Sequence, residues 1–373
     1  MAERQRPAPL VGVVDPGARD TPFGSYAAVA LAGQALLAAE LSRRLGSLGV
    51  AVTRLAPSDG DHWGRWYASS MRRALEAAEG PVDAVGYAGA GALALLPDAA
   101  LDSLVSPVRG EVAANNRFSA DAFVVAGDPA ATLAALETAA TDNAAVRVLE
   151  DAGFASRDLR AEPWSRFDVD TPLDLALLRL ATRLTGTRPL DAATAGFLEM
   201  AMLPGGRRLE VPKLDALGEV VRDSRAELLV AGRVPAAALA YLETETACRV
   251  RAFVEERGMR SARDSPPRSL LAAWAERLGP GDLVRQLASL ADAVIVDSRV
   301  VMAALASSAD AAAWPPEEER FASDFGDASR VTTPWLKELT EAAGTASVPV
   351  VLGGHALVSD GLRVLVEASW LGH

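Results

Sequence analysis

Residues 166–178 read RFDVDTPLDLALL, and the fold of the first half of the chain turns on them. Thr171 has the side chain of a helix N-cap, and Pro172 fits the first helical position because it has no N–H to leave unbonded. Asp174 follows three residues after the cap, where a carboxylate favours the amide-rich end of a helix. The stretch therefore predicts a short strand over 166–170 running into a helix over 173–185. In an extended strand, side chains two apart point the same way, so Asp168 and Asp170 would present both carboxylates to one side. Hard oxygen ligands of this kind suit magnesium, which takes one or two carboxylates together with phosphates and water.

Working outward, short apolar runs alternate with longer helical patterns, which predicts an α/β protein with a mainly parallel sheet. Strands are expected at LVGVV (10–14), VAVTRL (50–55), VDAVGYA (82–88) and DAFVVAG (121–127), with helices near 25–46, 66–79, 129–139 and 142–152. TGTRPLD (185–191) supplies turn chemistry and divides the chain into domains 1–188 and 189–373. After helical patterns up to residue 225, the alternation resumes with strands at AELLVAGR (226–233), DAVIVDSR (292–299) and VPVVLGGH (348–355). The charge-rich stretch 237–260 reads as one helix with a solvated ion-pair face. RSARDSPPRS (260–269) and AAWPPEEERFASDFGD (312–327) read as loops.

The formal charge of −12 and pI near 4.9 argue against a chain that grips nucleic acid or an anionic membrane. Of the 37 basic residues only Lys213 and Lys337 are lysines, so almost all positive charge is guanidinium. Cys248 is the only cysteine, which excludes an intrachain disulfide and a cysteine-rich metal site, and it reads as a buried helix residue. The N-terminal apolar run is too short for a signal peptide and no stretch reaches a membrane-spanning length, so a cytoplasmic protein is expected. Composition leaves a homo-oligomer open.

NNRFSADAFVV (115–125), TDNAAVRVLEDAGF (141–154) and RFDVDTPLDLALLRLA (166–181) together resemble the second half of a GT-A-type nucleotidyltransferase domain. The nearest group is the cofactor guanylyl- and cytidylyltransferases, which includes the molybdenum-cofactor and phospholactate guanylyltransferases. The resemblance covers roughly residues 8–187. It implies a GT-A, Rossmann-like three-layer mixed sheet, magnesium held at Asp168 and Asp170, and a nucleotide or phosphorylated metabolite as ligand. In the first loop Gly17, Phe23 and Gly24 can be matched to the family pattern, while Pro22 replaces its arginine and Arg19 is offset; Gly17 and Arg19 are the candidate ligand-binding residues there. Two departures stand out. No lysine precedes Lys213, where the family carries one shortly after its first loop, and Arg differs from Lys in shape and hydration. The central strand, which in the family ends in a metal-binding aspartate, here runs into Tyr87, Gly89 and Gly91.

Asn115, Asn116 and Arg117 could hydrogen-bond a sugar or phosphate, or could form an ordinary turn in which Asp121 pairs with Arg117. Asp142 and Asn143 read as a helix cap.

In the second half, three strand exits draw attention because open parallel sheets bind ligands beyond the carboxyl ends of their strands. They carry Gly232 and Arg233; Asp297, Ser298 and Arg299; and Gly353, Gly354 and His355. Two arginines, an imidazole and a glycine pair opening a helix would suit a phosphate or carboxylate. His355 with Asp297 is the candidate acid–base pair. The sequence thus supports a two-domain α/β protein that recognises a nucleotide or phosphorylated metabolite. Two other readings remain: a scaffold that keeps the fold without catalysis, and a hydrolase or lyase housed in the second domain.

Overall fold

The computed structural model describes residues 8–17, 24–58, 62–159, 161–162, 164–256 and 266–371. It is α/β throughout, with a mixed six-stranded sheet and a parallel four-stranded sheet. The compact units interleave along the chain. One holds the described residues up to 17 with 31–170 and 187–197; the other holds 24–30, 171–186 and everything from 198. The helix that DVDTP starts therefore belongs to the second unit, whereas a single cut between 188 and 189 would have left it in the first.

In the first unit the strands are β1 (Pro9–Val14), β2 (Ala51–Leu55), β3 (Ala84–Ala88), β4 (Glu111–Ala114), β5 (Ala122–Ala126) and β6 (Ala155–Asp158). They lie in the order β2-β1-β3-β5-β4-β6, parallel except for β5, which runs against both neighbours. The helices are α1 (Tyr26–Ser47), whose first residues fall in the second unit, α2 (Trp63–Glu76), α3 (Asp98–Leu104), α4 (Pro129–Leu136) and α5 (Ala145–Asp151). Side chains alternate across the sheet. Val11, Val13, Ala84 and Ala88 join a core with Leu41 and Leu101, while Leu10, Val85 and Tyr87 join another with Tyr67, Phe123 and Val146. Both faces are thus covered, giving three layers.

The second unit begins with α6 (Pro172–Ala181), followed by α7 (Ala192–Met200), which starts in the first unit, and a two-residue hairpin of β7 (Met202–Leu203) and β8 (Arg207–Arg208). Then come α8 (Leu214–Arg222), β9 (Glu227–Gly232), α9 (Ala236–Glu245), β10 (Arg249–Val254), α10 (Leu270–Leu278) and α11 (Pro280–Ala288). β11 (Ala293–Asp297), α12 (Ser298–Leu305), α13 (Glu317–Asp324), α14 (Pro334–Thr345), β12 (Val350–Gly353) and α15 (Asp360–Ser369) complete it. The parallel order β10-β9-β11-β12 has one switch point, between β9 and β11, where the connections turn in opposite directions. On one side α15 packs against α6, α8 and α9; elsewhere α11 packs against α10 and α14.

Several expectations change. RFDVD is not a strand: its Val169 N–H donates to the Gly91 carbonyl (3.3 Å) and its carbonyl accepts from the Gln34 side chain (2.9 Å), so the segment pairs with a loop and a helix instead of a ladder. The stretch 237–260 is not one helix, because α9 stops at Glu245 and RVRAFV forms edge strand β10. Its β-branched and aromatic residues favour that state. Arg249 and Arg251 face Glu227 of β9 at 3.8 and 2.7 Å, placing charge on an otherwise open edge. Cys248 is buried, but in the turn before β10. The expected loop 312–327 contains α13, and the expected loop 260–269 lies outside the described residues up to 265. Among the described residues no helix is long and apolar enough to cross a membrane.

Candidate functional site

In the first unit the polar residues gather where β3 ends. The N–H of Gly89, just past that end, donates to the Asp121 carbonyl at 2.8 Å. A Cβ at Gly91 would run into the Val169 carbonyl, so the absence of a side chain lets the 167–170 backbone lie across the strand end. Along it Phe167 and Val169 are buried, Asp168 is half-buried and Asp170 is exposed. Buried and less buried residues thus alternate along this segment without a ladder.

β3 ends without an aspartate of its own, yet a carboxylate from the neighbouring strand stands at its exit. β5 runs antiparallel with Ala122 opposite Ala88, so Asp121, one residue before β5, stands at the exit of β3. Burial, with the carboxylates of Asp142 and Asp170 nearby, pushes Asp121 up to about 7, against the lowering effect of its hydrogen bond from Asn115. Burial and the same acidic surroundings, Asp142, Asp121 and Asp168, raise the Tyr87 hydroxyl. Sequence reasoning did not bring Asp121 and Asp142 together at this edge: the antiparallel pairing with β3 places Asp121 there, and Asp142 comes from the separate turn at 142–144.

The NNRF loop forms a turn, but without the expected Arg117–Asp121 pair. Asn115 is buried: its side-chain amide donates to Asp121 (3.1 Å) and to the Ser165 carbonyl (3.0 Å), and its oxygen accepts from the N–H groups of Asp121 and Ala122. It therefore fixes the acidic strand end in place. The Asn116 side chain accepts from Phe118 N–H (3.2 Å) in a local turn. Arg117 pairs with Glu150 (2.7 Å) and lies over the Phe118 ring; it does not pair with Asp121. The 3-10 turn at 142–144 takes Thr141 as its N-cap residue, and Asn143 accepts from Ser119 (2.8 Å), so the expected DN cap does not form. Gly17 adopts a left-handed conformation (φ 74°) and its N–H donates to Asp15 (2.9 Å). Arg19 lies outside the described residues.

In the second unit the three strand exits do meet, since all four strands are parallel. Arg233, after β9, donates to both oxygens of Asp297 at the end of β11 (2.5 and 3.0 Å). Gly232 is required at this crossing: it has φ 128°, and a Cβ there would run into that of Asp297. Arg299 is buried, donating to both oxygens of Asp324 (2.8 and 2.5 Å) and to the Ser298 hydroxyl (3.0 Å). Ser298 in turn donates to the Gly353 carbonyl at 3.2 Å. Burial alone would raise Asp297, but Arg233, His355 and Arg299 together hold it below the usual carboxylate range. Arg299 is likewise held above its ordinary value: burial would lower it, and the Asp324 carboxylate outweighs that.

The anion expected at this edge is thus the protein's own. Asp297 also caps α12 through the Arg299 N–H (3.2 Å), which ties a carboxylate expected to do chemistry into the framework. The glycine pair does not open a helix either. Gly353 is packed against Leu357 and Leu173, where a Cβ would stand 2.6 and 2.8 Å from their methyls, and the chain turns through 355–359 before α15 begins at Asp360. His355 contributes to the charge balance around Asp297.

Among the described residues, no group of three or more His, Cys, Asp and Glu side chains is disposed to hold a metal ion. No protein-family model matches the chain, and no curated protein matches it.

Proposed function

We propose that this chain recognises a nucleotide or phosphorylated metabolite at the exit of β3 in its first unit, in the manner of a nucleotidyltransferase-like domain. Asp168 and Asp170 would hold magnesium carried on the ligand's phosphates. The observation that carries the reading is the placement of Asp121 at the β3 exit by the antiparallel β3–β5 pairing, with Asp142 and Asp170 nearby: burial first, and those carboxylates second, raise Asp121, and a divalent cation would relieve the crowding. The mixed sheet and the position of the DVDTP segment across the end of its central strand support it further. The reading covers recognition. Transfer would also need positive charge on the departing phosphate, and no lysine precedes Lys213 to supply it.

Thermal-shift titration with GTP, CTP and inorganic pyrophosphate, with and without magnesium, tests the proposal. Magnesium-dependent stabilisation should appear in the full chain and be lost in the Asp168→Asn/Asp170→Asn double variant. No stabilisation by any of the three, or equal stabilisation of the variant, rules it out. A hydrolase or lyase built on His355 and Asp297 is less well supported, because Asp297 is buried in a bidentate ion pair and a helix cap.

A further inference from the structure

The second unit carries an open groove of about 890 Å³ well away from its strand exits. A helix that follows a parallel strand runs back toward the start of that strand, so the last turns of α9 and α15 lie at the sheet's opposite edge. The groove is lined by those two last turns and by Leu184 and Thr185 beyond α6. Helix C-termini present unpaired carbonyls and a partial negative charge, which a basic residue in the last turn commonly offsets. Neither α9 nor α15 has one there. Instead Glu245 is the final residue of α9 and Glu367 stands in the last turn of α15, each set against the negative end of its own helix.

One guanidinium of the chain already lies on this lining. The Arg363 guanidinium donates to Glu367 at 2.6 Å and lies 5.4 Å from the centre of the Tyr241 ring, while the Tyr241 hydroxyl donates to Glu367 at 3.2 Å. Trp370 is 41% exposed, and its indole N–H is pinned to the Glu245 carbonyl at 3.1 Å. Two aromatic rings, two carboxylates and two helix ends therefore border one opening. Aromatic faces and carboxylates attract organic cations, whereas a hard metal ion would want an oxygen cage.

We propose that this groove binds an organic cation of small-molecule size, an alkylammonium or guanidinium compound, with Glu245 and the helix ends supplying charge and Trp370 and Tyr241 supplying the walls. Calorimetric titration of the full chain with spermidine and with arginine methyl ester tests it. At least one should bind saturably and more weakly as salt is raised. Glu245→Gln and Trp370→Leu should each weaken binding about tenfold, the scale of a partly desolvated cation–aromatic contact. Thr244→Arg, at an exposed position on the groove wall, should abolish binding by tethering a cation there. Unfolding midpoints of the ligand-free variants check that the groove is still formed. Flat titrations with both cations, or binding that all three folded variants leave unchanged, would overturn the proposal.

Discussion

The Arg233 guanidinium grips both oxygens of Asp297 across the switch point of the parallel sheet, and Asp297 is completely buried. Removing one partner of such a pair leaves the other desolvated and uncompensated, which costs about 3–5 kcal/mol. Asp297→Asn should therefore lower the urea unfolding midpoint by an amount of this order. The pH dependence follows from the lowered folded-state pKa of Asp297. Its stabilisation is present above the unfolded-state value, about pH 4, and is lost as pH falls through the lower folded value. The wild-type chain should lose stability in acid more steeply than the Asn variant.

Thr171 and Asp174 form a reciprocal cap on α6. The Thr171 hydroxyl accepts from the Asp174 N–H (3.2 Å), and the Asp174 carboxylate accepts from the Thr171 N–H (2.9 Å). Thr171→Ala should cost about 1 kcal/mol. Because the Thr171 hydroxyl also donates to Asp174, the double replacement should cost less than the sum of the two single ones, measured as a double-mutant cycle.

Local chemistry made the cap, the strands β1, β2, β3, β5, β9, β11 and β12, and the meeting of three strand exits legible in the sequence. What it could not reveal depends on pairing between distant segments. β4 and β6 are only four residues each and have no strong alternating pattern. Arg249 and Arg251 are two residues apart, which puts them on one side of a strand and on different sides of a helix, and both reach Glu227 on that side. Likewise Arg233 and Arg299 look like ligand hooks until Asp297 and Asp324 are placed beside them. Asp121 gains interest only from an antiparallel neighbour.

Gly89 and Gly91 look alike in sequence, and the structure separates them. A Cβ at Gly89 would meet its neighbours at 3.6 and 3.9 Å, ordinary contact distances, while one at Gly91 would collide with the Val169 backbone. Gly89→Ala should be nearly neutral. Gly91→Ala should cost about 1–3 kcal/mol, the scale of an overpacked core, and should displace the segment carrying Asp168 and Asp170. Thermal unfolding of the two variants, with and without magnesium and nucleotide, checks both halves of this expectation.

Asp121 gives the opposite pH signature to Asp297. Burial among carboxylates raises it to about 7, so the folded state holds its proton more tightly than the unfolded state does. The contribution is fully present below the unfolded-state value, about pH 4, and is lost as pH rises through 7, because ionising the buried carboxyl costs stability. Asp121→Asn removes that ionisation and should raise the unfolding temperature at pH 8 relative to wild type, with little gain at pH 4. Magnesium together with a nucleoside triphosphate should flatten the same slope in the wild-type chain, since a cation at the β3 exit favours the ionised form. Unfolding temperatures across pH 4–9 for both proteins make the comparison. A wild-type slope unchanged by Asp121→Asn would assign the titration to another group.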